Sequence, residues 1–140
     1  MGYFGDGPRI GNEFTYRGVE AAFMENEHLR VLVLPGKGGD VLEVRDKRRD
    51  VNVLWDAPHE WVPPGESPLP SDHVTTWQTE HYPGGWQVNL PIAGYGMEIP
   101  GSAYGLHGES ALLPFEAAVR EDDDEVAQRP SVGATAARPS

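Results

Sequence analysis

Cysteine is absent from the 140-residue chain, which excludes disulfides and thiolate metal sites. Lysine is scarce, with Lys37 and Lys47 alone; the other bases are arginines. Acids outnumber bases by 22 to 11, and the resulting net charge of −11 repels nucleic acid and anionic membranes. No apolar run is long enough to span a bilayer, and the N-terminus lacks a basic segment followed by an apolar one. The expectation is a soluble cytoplasmic protein without a nucleic-acid or membrane partner. No P-loop and no basic cluster accompany the glycines, so no phosphate cradle is read. No cofactor and no metal are expected.

Turn formers are abundant. Seventeen glycines and 13 prolines disfavour long helices, while 39% hydrophobic residues suffice for a modest core. Glu13 to Gly18 and Val19 to Glu25 read as short strands, and Glu25-Asn26-Glu27 as a turn. Leu29, Val31 and Val33 alternate with Arg30, Leu32 and Leu34, a strand apolar on both faces that suits the inside of a sandwich. Pro35 to Gly39 is a turn, Val41 to Arg45 a strand, Asp46 to Asp50 a charged turn, and Val51 to Trp55 the returning strand. The fold class is therefore all-β, with antiparallel hairpins in series. Residues 56–73, rich in proline, read as a long surface loop. Val74 to Tyr82, Gln87 to Ile92 and Leu112 to Arg120 read as further strands, and Met97 to Tyr104 as a loop. Residues 1–11 form a flexible lead-in, 12–126 the folded part, and 127–140 a disordered or out-of-frame tail.

The chemistry concentrates in two stretches, Gly84-Gly85-Trp86-Gln87-Val88-Asn89-Leu90-Pro91-Ile92-Ala93-Gly94 and Gly105-Leu106-His107-Gly108-Glu109-Ser110. An aromatic face beside amides, an imidazole and a carboxylate suits a neutral ligand with many hydroxyls. The paired glycines would let the backbone approach such a ligand. Gln87 and Asn89 share a strand face, so both amides reach hydroxyls if that face lines a cleft. Trp86 is either a core residue or a stacking surface. Glu109 either orients His107, binds a hydroxyl, or is a solvated turn acid. His81 and Tyr82, just before the glycine pair, are further candidates, whereas His59 and His73 read as surface residues of the proline loop.

With Gly84-Gly85, Pro91, Gly94 and His107-Gly108 in that order, the chain resembles the N-terminal half of the galactose-mutarotase-like superfamily of aldose 1-epimerases and hexose-6-phosphate 1-epimerases. The segment His28 to Lys47 resembles that superfamily's opening hairpins. The likeness covers about residues 12 to 120 and implies an antiparallel β-sandwich of the mutarotase (supersandwich) type, present in part. It implies interconversion of sugar anomers by acid and base catalysed ring opening, which needs two groups of complementary protonation and no metal. It also implies that His107 contacts the sugar, with Trp86, Gln87, Asn89, Glu109 and His81 as binding residues. The acid and base themselves are implied beyond residue 140, so the chain is expected to be a truncated or frame-shifted portion, weak or inactive as an isomerase. Glu109 stands where the phosphate-handling relatives carry Arg, and a carboxylate beside a phosphate repels it, so a non-phosphorylated sugar is expected. An incomplete sandwich would leave open edges that favour self-association. The alternatives are a non-catalytic carbohydrate-binding module using Trp86 and Trp77, and a cupin-like metal enzyme, for which His107-Gly108-Glu109 is the one close pair.

Overall fold

Arg17 and Gly18 both take positive φ, 48° and 83°. Two consecutive left-handed residues make the tight turn whose twist matches that of paired strands, so β1 (Arg9–Tyr16) folds straight back as β2 (Val19–Glu25). The computed structural model describes residues 8–63, 66–67, 77–104, 107–108, 110–121 and 126–131. The Asn26 side chain accepts the amides of His28 and Leu29, each at 2.9 Å, and closes the turn into β3 (Leu29–Leu34). Gly38 and Gly39, at φ 67° and 72°, turn the chain into β4 (Asp40–Asp46). Asp46 then accepts the amides of Arg48 and Arg49, and β5 (Val51–Asn52) pairs back. The result is an antiparallel five-stranded meander in sequence order. Two more hairpins follow: β6 (Met97–Ile99) with β7 (Ser102–Tyr104), and β8 (Glu116–Glu121) with β9 (Val126–Ser131). The protein is all-β. Among the described residues no helix is long and apolar enough to cross a membrane.

Ala21, Leu34, Leu42 and Trp61 form the core, flanked by Tyr16, Val19 and Leu32. Burying a side chain the size of Leu34 is worth roughly 1.5–3 kcal/mol. Trp61 reaches the sheet from the proline-rich stretch and stacks on Tyr16, with ring centroids 6.4 Å apart. The stretch read as a surface loop therefore supplies a lid for the core, because one large aromatic outweighs the polarity of its neighbours.

Several local expectations are corrected. β1 begins at Arg9, inside the segment read as a lead-in, since its register with β2 runs back to Glu25. Trp77–His81 is a single wide helical turn rather than part of a strand, and residues 74–76 lie outside the described residues. Met97 to Tyr104 is a hairpin rather than a loop: Pro100-Gly101, with Gly101 at φ 88°, is its turn. Ser110–Leu112 is a short helical turn, and the strand expected from Leu112 starts only at Glu116. Val126–Ser131, all but its first residue in the stretch read as a disordered or out-of-frame tail, pairs with β8. In the three corrected hairpins, pairing with the neighbouring strand outweighs weak local preference.

Candidate functional site

The glycine pair has a structural use. Gly84 and Gly85 take φ 90° and 73° and pass between two backbones. The Gly85 amide donates to the Trp55 carbonyl at 2.7 Å, and Trp86 exchanges two 2.8 Å backbone bonds with Val41. A Cβ on Gly84 would stand 2.5 Å from the Trp55 oxygen, and one on Gly85 would stand 2.4 Å from the Val41 oxygen. The glycines thus admit neighbouring strands where the sequence reading had them admit a ligand. Backbone crowding of this kind is invisible in sequence.

Beyond the glycines exposure alternates as expected, but Gln87 to Ile92 is no strand: only isolated bridges tie Trp86 to Val41 and Leu90 to Gly108. Trp86, Val88 and Leu90 face outward, 67%, 48% and 59% exposed. Gln87 and Asn89 share the opposite face, half-buried. That face looks inward: Gln87 Nε2 donates to Asp40 Oδ2 at 2.9 Å, and Asn89 Oδ1 is buried without a hydrogen-bond partner among the described residues. The indole of Trp86 is on the surface, so it is no core residue.

His107 is brought to this segment. Its amide donates to the Gly94 carbonyl at 2.8 Å, and the Gly94 amide donates to His107 Nδ1 at 3.0 Å. An Nδ1 that accepts an N–H places the ring proton on Nε2 when the imidazole is neutral. The residue sits at φ 62°, an uncommon conformation for a side-chain-bearing residue, held by the reciprocal bonds to Gly94. Gly108 follows at φ 74°, where a Cβ would meet the Leu90 oxygen at 2.3 Å. Ser110 completes the attachment. Its hydroxyl accepts the Leu90 amide at 2.7 Å and donates to the Val88 carbonyl at 2.8 Å. The two motif stretches are therefore stapled together at three successive points.

The other candidates are dispersed. His81 is fully buried in the turn after Trp77, with Nδ1 2.9 Å from the Val62 carbonyl. Its Nε2 is buried without a partner among the described residues. Tyr82 stacks on Trp55 at 5.7 Å, and His59 is exposed. Glu109 and His73 lie outside the described residues. Among the described residues no group of three or more His, Asp or Glu is arranged to hold a metal ion.

Sequence reading missed the buried ion pair beneath this segment. Lys37 Nζ lies 2.5 Å from Asp40 Oδ2, with side chains 0% and 1% exposed. Lys37 also reaches the Ala111 carbonyl at 3.4 Å, so the pair joins the β3–β4 turn to Gln87 and to the turn after His107. Burial pushes the Lys37 ammonium below its ordinary range and the Asp40 carboxyl above its own, while their mutual attraction opposes both. The signal available was a lysine three residues from an aspartate across a glycine pair, in a chain with hardly any lysine. Compared with protein-family profiles, with curated proteins and with solved structures, the chain matches none.

Proposed function

We propose that the chain is a carbohydrate-binding protein of the aldose 1-epimerase type, built on an antiparallel sandwich of the mutarotase kind. It takes an uncharged sugar beside His107 and the 86–94 segment. The observation that carries the reading is the reciprocal pairing of His107 with Gly94, which sets one tautomer and one orientation of the imidazole. A ring so fixed offers an oriented imidazole to a sugar without the entropy loss of ordering it on binding. Trp86, exposed four residues before Leu90, supplies an apolar surface of the sort that stacks on a pyranose. Gln87 supports the site from below through Asp40 instead of touching the sugar. Anomer exchange needs an acid and a base together, and in this reading His107 holds the sugar for them instead of being either.

The test is a titration of isotope-labelled protein with galactose and glucose, followed by NMR, with anomer exchange measured by polarimetry in the same samples. Saturable shifts of His107, Gly94 and Trp86 are expected, weakened in His107→Gln, and glucose 6-phosphate should bind no better than glucose. Absence of saturable shifts at these residues would end the proposal. Accelerated anomer exchange in addition to binding would extend it to catalysis.

A further inference from the structure

The antiparallel register lines up two rows of side chains across one face of the meander. Arg9, Glu25, Arg30, Arg45 and Asn52 are successive partners across β1 to β5. One step inward, Gly11, Phe23, Leu32 and Glu43 are likewise successive partners. Between these rows and the β1 aromatics runs a groove of about 340 Å³, lined by Phe14, Tyr16, Phe23, Glu25, Arg30 and Leu32. Phe14 and Phe23 meet at 5.8 Å, tilted by 52°. Gly11 makes room for the Phe23 ring, since a Cβ there would lie 2.8 Å from it. The floor is apolar and one edge is ionic.

Glu25 and Glu43 on that edge each have both oxygens engaged. Glu25 is held on one oxygen by Arg9 and on the other by Lys47 at 3.4 Å. Glu43 is held by Arg30 Nε and by Arg45 Nη2, each at 2.8 Å. Arg45 also holds Asp50 at 2.8 Å. Asp50 keeps an exposed oxygen but does not line the groove, so the acceptors nearest the groove, those of Glu25 and Glu43, are already engaged. Donors are left: Arg30 uses only Nε toward Glu43, and its side chain is 45% exposed. Its terminal nitrogens have no partner among the described residues. Arg9, Arg30, Arg45 and Lys47 face Glu25, Glu43 and Asp50, so this edge carries one positive charge in surplus within a chain of net −11.

From this geometry we infer that the groove is a second binding site, for a small monocarboxylate with an aryl or branched alkyl body. The apolar body lies over Phe14, Phe23 and Leu32, and the carboxylate takes the paired terminal N–H groups of Arg30, whose planar fork matches it. A dianion such as a phosphate monoester fits less well, because one surplus charge faces it and Glu25 and Glu43 stand close by. The volume is at the lower end of small-molecule sites, which suits a single ring and a short chain.

The experiment is an NMR titration of the whole chain at pH 7 with 3-phenylpropionate, with its neutral amide 3-phenylpropanamide, and with 3-phenylpropylamine. Saturable shifts at Phe23, Arg30 and Leu32 are expected for the acid, with the amide binding at least about tenfold more weakly and the amine weakest. In Arg30→Met, which keeps an apolar stem over the sheet, the acid should fall to the affinity of the amide. Equal affinity of wild type for acid and amide would overturn the inference, as would shifts confined to other residues or an undiminished preference in Arg30→Met. The acid and amide comparison on wild type stands even if that variant does not fold. None of these measurements involves His107 or Trp86, so this site and the sugar site fail or survive separately.

Discussion

Breaking the Lys37–Asp40 pair one side at a time is predicted to give variants with opposite pH dependence. In Asp40→Asn the amide still accepts from Gln87, but the Lys37 ammonium is left in a site 0% exposed. Removing one partner of a buried pair costs about 3–5 kcal/mol. The lysine escapes part of that by losing its proton above about pH 7, since from its ordinary 10.5 this costs about 4.8 kcal/mol at pH 7 and about 2 kcal/mol at pH 9. Its unfolded state then binds more protons than the native state, so stability relative to wild type rises with pH, by up to about 1.4 kcal/mol per pH unit below 10.5. In Lys37→Met the lone Asp40 carboxyl escapes by gaining a proton, which from 3.8 costs about 4.4 kcal/mol at pH 7. There the native state binds more protons, so relative stability falls as pH rises above 3.8. Lys37→Met with Asp40→Asn removes both charges and keeps an acceptor for Gln87. It should lie within about 1 kcal/mol of wild type, or above it, with little added pH dependence. Urea unfolding of the four proteins between pH 5 and 9 reads all three curves. Single variants within about 1 kcal/mol of wild type, or with slopes of the same sign, would refute the reading of a dry, mutually dependent pair.

Gly85→Ala should destabilise by more than about 2 kcal/mol in denaturant unfolding, from its φ of 73° and a Cβ 2.4 Å from the Val41 oxygen. Gly94→Ala, at φ 113° with open space around it, should cost less; the reverse order would remove the packing role of the glycine pair. Ser110→Ala should cost about 1–3 kcal/mol and speed hydrogen exchange at the Leu90 amide, whose acceptor is the lost hydroxyl. Burial pushes the Glu43 carboxyl up, but hydrogen bonds from Arg45 and Arg30 outweigh it and hold it below its ordinary 4.5. Its contribution is therefore present above 4.5 and lost as pH falls through the lower folded value, so thermal melts of Glu43→Gln and wild type should converge in acid. A constant gap between them down to pH 3 would count against that.

The all-β class was legible because alternation, turn residues and short spacing reinforce one another from Val19 to Val51. The pairing of Gln87 with Asn89 on one face was legible for the same reason, as a consequence of period two. Which way that face looks was not: only the bridge between Trp86 and Val41 turns the amides toward Asp40 and the indole toward solvent. The burial of Lys37 was hidden too, since a lysine in a glycine turn looks solvated until Asp40, Gln87 and Ala111 close around it. His107 was singled out by composition, but its tautomer depends on an amide 13 residues earlier in the chain. From Val19 to Val51 local sequence by itself determined where strands and turns fall, because steric limits and alternation act over a few residues; farther along the chain it did not. Tertiary structure alone decided which faces are dry, which glycines are crowded and which charges meet, because those depend on contacts between residues far apart in the chain.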